Sequence, residues 1–305
     1  AVTPSDERLW RRAQTYLAER QYTAARIAFE SFVQRVPHDV QARMLLAGTV
    51  LAEGRVQEAS RQMLVAATHL PDDPDTICTV AMGLLRVGET VAARGCLDHP
   101  AIARSREGAA LARLAHVRQM IGEHEASLAL MDRALACGFD NADFRYFRSI
   151  QLQFNGRIAE AEAELEHCLR LGPSYGRASL TLSRLRKQTP ASNHIDAIRA
   201  RMHGVAQGSE DHAAFEFALY KEFDDLGRTD EAWDALARGN ALMHARLGHD
   251  VARENAVIDA LIARTTPEFL AADPSDASDD GGPLPIFIVG LPRSGTTLLE
   301  RIVGN

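Results

Sequence analysis

Large apolar and small residues stand along the first 175 residues in columns that recur at a fixed spacing. Gly54, Gly88, Gly122 and Gly156 are each 34 residues apart, and five residues after them come Ala59, Ala93, Ser127 and Ala161. Carried one period back, the same ruler meets Arg20 at the glycine position and Ala25 at the small one. Seven residues before the glycine column sit Ala13, Ala47, Ala81, Ala115 and Ser149. A large apolar column runs through Phe29, Met63, Leu97, Met131 and Leu165. Pro37, Pro71 and Pro173 close three of the units, and the column lapses at Ser105 and Phe139. Glycine makes up about 7% of an average protein, so several columns in one register are a true internal repeat.

The period and the columns resemble the tetratricopeptide (TPR) repeat, a 34-residue helix–turn–helix unit. Two small residues let the helices of one repeat cross closely, the glycine accepts the turn between them, and proline ends the second helix. Five repeats are expected over residues 6–175, the third and fourth looser than the others. A partial sixth starts at Gly176 and breaks at Gln188-Thr189-Pro190. The predicted organisation is a TPR array over 1–189, then an irregular insertion, a further TPR-like hairpin and an amphipathic helix over 190–270. The insertion holds a short helix at 193–204; the hairpin spans 211–246, with Tyr220, Gly227 and Ala232 in the repeat columns. The amphipathic helix spans 252–270 and carries Val257, Ile258, Leu261 and Ile262 on one side. Residues 271–283, rich in Asp, Gly, Pro and Ser, read as a solvated linker.

Stacked hairpins of this kind form a superhelix whose concave face is lined by the first helix of each repeat. The positions expected to face inward are Trp10, Met44, Met82, His116, Gln119, Tyr146, Gln153 and Phe154. Aromatic, Met and amide groups suit an extended peptide held by backbone hydrogen bonds and shallow pockets, so a protein or peptide partner is expected. Repeat arrays also associate through their terminal repeats, which makes a dimer compatible with the sequence.

Composition narrows this picture chiefly by exclusion. A formal net charge of −7, with the arginines dispersed, leaves no electrostatic footprint for nucleic acid. No apolar run approaches the roughly 20 residues of a membrane span, so no membrane partner is expected. Cys78, Cys96, Cys137 and Cys168 lie far apart and read as free thiols of a cytoplasmic protein. Histidines at 116, 124 and 167 fall in different repeats and His244 and His249 slip off one helical face, so no metal is predicted. The acidic pair Asp224-Asp225 and the run Glu160 to Glu166 read as solvated faces.

Residues 284–305 carry different chemistry. The β-prone run Ile286 to Val289 feeds Gly290-Leu-Pro-Arg293-Ser-Gly-Thr-Thr297, after which a helical pattern begins. Strand, phosphate-sized loop and helix N-terminus in that order direct backbone N–H groups and the helix dipole at an anion. The glycine spacing is that of a Walker A loop, but Thr296 stands where that motif needs its lysine, which weakens a triphosphate-binding P-loop reading. The Pro-Arg-Ser-Gly-Thr-Thr-Leu segment resembles the 5′-phosphosulfate-binding loop of sulfotransferases that use 3′-phosphoadenosine 5′-phosphosulfate (PAPS). It is most similar to tyrosylprotein sulfotransferases and to the bacterial TPR-containing sulfotransferases. The order of repeats, Asp224-Asp-Leu-Gly-Arg-Thr-Asp-Glu-Ala-Trp233, Gly239-Asn240, linker and loop also resembles that bacterial group.

The resemblance implies a mainly α protein: a TPR α-solenoid followed by the first strand–loop–helix of a P-loop-like α/β domain otherwise absent. It implies PAPS as co-substrate, 3′,5′-adenosine bisphosphate as co-product, a hydroxyl acceptor on a protein or peptide, and no metal. Arg293 is implied as the catalytic residue, contacting the phosphosulfate; Ser294, Gly295, Thr296 and Thr297, with N–H groups from Ser294 to Leu298, are implied to hold the 5′-phosphate. Such enzymes place their acid/base carboxylate and 3′-phosphate contacts downstream of this loop. The chain up to Asn305 is therefore expected to lack activity by itself. The rival expectation is a non-enzymatic TPR interaction scaffold with a structural loop.

Overall fold

The computed structural model describes residues 3–248, 250–271 and 286–304. The chain divides into two compact units, Ala1–Leu247 and Gly248–Asn305. The first is a mainly α TPR solenoid. Its hairpins are α1 (Pro4–Ala18) with α2 (Tyr22–Arg35), α3 (Val40–Ala52) with α4 (Val56–Ala67), and α5 (Pro74–Arg86) with α6 (Thr90–Cys96) and a short α7 (Pro100–Arg104). Then follow α8 (Gly108–Ile121) with α9 (His124–Ala136), α10 (Ala142–Phe154) with α11 (Ile158–Leu171), and α12 (Gly176–Arg184). After the insertion come α13 (Ile195–Met202) and the hairpin of α14 (Glu210–Asp225) with α15 (Thr229–Leu247).

The columns account for this architecture residue by residue. Gly54, Gly88, Gly122, Gly156 and Gly227 all have φ between +70° and +89°, and Arg20 holds the same left-handed conformation at +58°. In each turn the N–H just after the left-handed residue reaches back to a carbonyl of the last turn, as in Arg55 to Val50 at 3.0 Å and Glu123 to Arg118 at 2.9 Å. This Schellman closure satisfies the terminal carbonyls and sends the second helix back along the first. Ala13, Ala25, Ala47, Ala59, Ala81, Ala93, Ala115 and Ala161 are fully buried at the crossings. Ser127 replaces alanine in this column, and its hydroxyl donates to the Ala115 carbonyl at 2.7 Å, so the polar atom costs little there. Phe29, Met63, Leu97, Met131 and Leu165 fill the space beside them, each no more than 4% exposed.

Departures from the period have local causes. In the third repeat the second helix stops at Cys96 and restarts at Pro100, which has no N–H to extend a helical ladder and instead opens α7 behind the His99 cap. The expected amphipathic helix over 252–270 is two: α16 (Val251–Arg264) and α17 (Pro267–Ala271). Pro267 disfavours the helical region for Thr266, which instead caps α17 through its hydroxyl to the Phe269 N–H at 3.2 Å. The acidic runs are not wholly solvated faces. Glu164 accepts from Arg145 at 3.0 Å and Arg148 at 2.6 Å, and Asp225 accepts from the Gln188 N–H at 2.8 Å and pairs with Lys221. Arg145 and Arg148 come from the neighbouring α10, Gln188 from the stretch after α12, and Lys221 from one turn earlier on α14 itself.

In the second unit α16, α17 and α18 (Thr296–Val303) bury none of their residues, and Val257, Ile258, Leu261 and Ile262 are all more than half exposed. The expected strand from Ile286 to Val289 forms no ladder among the described residues. A strand exists by pairing with another, and none is described for it to join. The linker from residue 272, together with His249, Pro285 and Asn305, lies outside the described residues.

Candidate functional site

Around the loop, the chain turns between Leu291 and Ser294, where the Ser294 N–H donates to the Leu291 carbonyl at 3.1 Å. Arg293 then takes φ +64° and Gly295 φ +92°, and α18 begins at Thr296 with no side chain capping its N-terminus. Left-handed residues within a turn gather successive N–H groups into a concavity suited to anions. The left-handed region costs a non-glycine residue about 1–2 kcal/mol, so Arg293 is held there by its turn. A Cβ added to Gly290 would stand 2.5 Å from Ser294 Oγ and 3.0 Å from Thr296 Cγ2, so a larger residue there would displace two of the loop's hydroxyl-bearing side chains. The Arg293 side chain is exposed and makes no hydrogen bond or ion pair among the described residues. Because the Ser294 N–H is spent inside the turn, the N–H groups free for a ligand are those from Gly295 to Leu298. Ser294, Thr296 and Thr297 hydroxyls, the open helix end and one guanidinium fit a phosphate or phosphosulfate group.

The concave face is built differently. Met82 and His116 border a cavity of about 460 Å³ between α5, α8 and α10, whose walls also include Met131, Phe139, Phe144 and Phe147. Met44 and Met82 border an adjoining trough of about 1120 Å³ that reaches α3 and shares Cys78, Met82 and Arg113 with the first. The remaining expected inward residues have other company. Trp10 packs on Phe29 and Phe32, with ring centroids 5.8 and 5.1 Å away. Gln119 lies 3.4 Å from His116 Nδ1, and Gln153 donates to the Ser149 carbonyl at 3.3 Å. Tyr146 stands 5.2 Å from Tyr175 and under the Arg177 guanidinium, whereas Phe154 stacks on His124 at 4.0 Å. The Tyr175 hydroxyl donates to Asp143 at 2.7 Å, and burial and that carboxylate together raise its pKa.

Sequence reasoning missed Phe139, Phe144, Phe147 and Arg113. Phe139 had a signal: it stands where the proline column lapses, and here its ring meets Phe144 edge-on at 5.3 Å as part of the cavity wall. Among the described residues no cluster of three or more His, Cys, Asp or Glu could hold a metal, and no helix is long and apolar enough to cross a membrane.

A model of the sulfotransferase family matches residues 285–305. An uncharacterised protein of Aquifex aeolicus is 26% identical over 152 residues, 49% of this chain and 19% of that protein. The TPR repeat-containing thioredoxin TTL4 of Arabidopsis thaliana is 28% identical over 144 residues, 47% of this chain and 20% of that protein. The chain thus spans about a fifth of the length of these relatives. Among solved structures, part of a TPR repeat-containing protein from Cytophaga hutchinsonii superposes with a TM-score of 0.48 at 12% identity, covering 86% of this chain and 98% of that one. PilF of Pseudomonas aeruginosa gives 0.47 at 14%, covering 72% and 97%. The chain is a mainly α TPR-repeat scaffold that carries, at residues 285–305, a segment matching the sulfotransferase family model.

Proposed function

We propose that this polypeptide belongs to a PAPS-dependent sulfotransferase, inactive as this chain alone, whose TPR array binds the acceptor protein or peptide. The observation that carries the reading is the Gly290–Thr297 loop: a left-handed Arg293 and Gly295 opening an uncapped helix, within the only stretch that the sulfotransferase family model matches. Gly295, Thr296, Thr297 and Leu298 N–H groups, with the Ser294, Thr296 and Thr297 hydroxyls, would hold the 5′-phosphate. When bound, PAPS supplies an activated sulfuryl group for transfer to a hydroxyl. Arg293 would place its guanidinium against the oxygen bridging phosphorus and sulfur, where negative charge grows as the sulfur–oxygen bond breaks. Such a group contributes by positioning and by electrostatic stabilisation prepared in advance.

Calorimetric titration of the full-length gene product with 3′,5′-adenosine bisphosphate tests the assignment. Micromolar binding is expected, weakened at least tenfold in Arg293→Ala, about the 1.5–3 kcal/mol of a charge-assisted hydrogen bond. Absence of binding in the unsubstituted protein would leave a non-enzymatic interaction scaffold. Tighter binding of ATP or GTP would return the loop to the triphosphate class.

A further inference from the structure

We propose that the concave trough selects an extended peptide carrying a bulky apolar side chain and a carboxylate two residues apart. The inference rests on the claim above that the array binds a polypeptide, and it specifies which one.

The apolar pocket exists because the fourth repeat leaves a gap. At one groove column, spaced by 34, the chain places Trp10, Met44, Cys78, Ala112 and Tyr146; at another, Glu7, Gln41, Asp75, Ala109 and Asp143. Alanine is the smallest member of both columns, and both alanines lie in α8, where the cavity of about 460 Å³ opens. Phe139, Phe144, Phe147, Met82 and Met131 make most of its wall, with Arg113, His116, Asn141 and Asp143 also on its lining, so it favours a large aliphatic or aromatic side chain. Phe139 reaches this wall because it occupies the lapsed proline position and packs against Gly108, where an added Cβ would stand 2.5 Å from Phe139 Cβ.

The adjoining trough is also largely apolar but carries more polar groups than the pocket. Gln41, Thr79 and Arg86 border it. Arg113, at the junction with the pocket, is committed to Asp75. Arg86 is exposed and makes no hydrogen bond or ion pair among the described residues, and neither does the exposed Gln41 amide. Arg86 therefore offers a free guanidinium to a carboxylate, and Gln41 offers a donor and an acceptor to a peptide backbone.

Register ties the two together. Met82, at the junction, and Arg86 are four residues apart on α5, a rise of about 6 Å along the helix. In an extended peptide, side chains two residues apart share a face and are separated by about 6.6 Å. A peptide lying along α5 with an apolar residue in the pocket would bring the residue two places along within reach of Arg86. A free fatty acid or a membrane lipid could share the apolar half, but not this pairing along a backbone.

The test is selection of displayed random dodecapeptides on the full-length gene product. Enriched sequences are expected to combine Leu, Met, Phe, Tyr or Trp with Asp or Glu at a spacing of two. With Arg86→Glu, a substitution at an exposed site that leaves the fold intact, the acidic preference should invert to Lys or Arg while the apolar preference stays. With Ala112→Trp, which fills the pocket, affinity of the selected peptides should fall at least tenfold. Enrichment without the spaced pair, or an acidic preference untouched by Arg86→Glu, overturns the proposal, as does competition by oleate vesicles but not by the selected peptides. The same preparations titrated with 3′,5′-adenosine bisphosphate separate the two failures. Nucleotide binding with no peptide selection sinks this inference alone, whereas loss of both sinks the function proposed above as well.

Discussion

Glu222 has no exposed surface in α14, yet its carboxylate accepts from His194 Nδ1 at 2.9 Å, the His194 N–H at 3.0 Å and the Ser183 hydroxyl at 2.8 Å. Burial pushes its pKa up, but the three donors outweigh burial and hold it below the usual carboxylate range. With the folded pKa lowered, the unfolded chain binds the proton more readily, so stability from this group rises with pH. It is fully present above about pH 4.3 and is lost as pH falls through the folded value. Glu222→Gln should therefore cost about 1–3 kcal/mol at pH 7, with the gap to the unsubstituted protein closing below pH 4. Urea melts at pH 7, 5 and 3.5 measure this; an equal gap at all three would refute it. Nothing near Glu222 in sequence marks it, because its partners lie 28 and 39 residues away.

Between elements, the decisive contact is where the array crosses its own irregular stretch. Helix α14 packs against α12, α13 and α15, so the last hairpin docks on the sixth repeat across the insertion. Gly176, the first residue of α12, lies so close to α14 that a Cβ there would stand 2.2 Å from the Asp211 carbonyl oxygen, and its N–H donates to Asp211 Oδ1 at 2.9 Å. Backbone cannot yield as a flexible side chain can. Gly176→Ala is expected to cost about 1–3 kcal/mol and to loosen α14 and α15 first. Hydrogen exchange should show earlier opening of residues 210–247 than of residues 40–154, and uniform opening would contradict the idea. The hairpins were legible in advance because glycine and alanine columns are local requirements of a Schellman turn and a close crossing. The split of α16 from α17 was legible too, in Pro267, but a strong apolar period across 252–270 masks it.

At the scale of the molecule, every cluster of buried apolar residues among the described residues, from Ala13 to Ala235, falls within the unit Ala1–Leu247. A fragment of residues 1–247 should keep its helical circular dichroism and its melting temperature within a few degrees, and should bind selected peptides while losing nucleotide binding. Collapse of the fragment would show that the second unit supports the first. In a repeat protein each unit contacts its neighbours, so the 34-residue ruler alone specified the hairpins and their crossings. The turn at Arg293 was equally visible, since a tight turn opening a helix is written in consecutive residues. The pocket was not, nor were Glu222's partners, the Arg145–Glu164–Arg148 network and the fate of the Ser294 N–H. Those depend on which side chains from separate repeats reach one another and on which backbone donors a turn consumes, and such distances arise only once the helices are stacked.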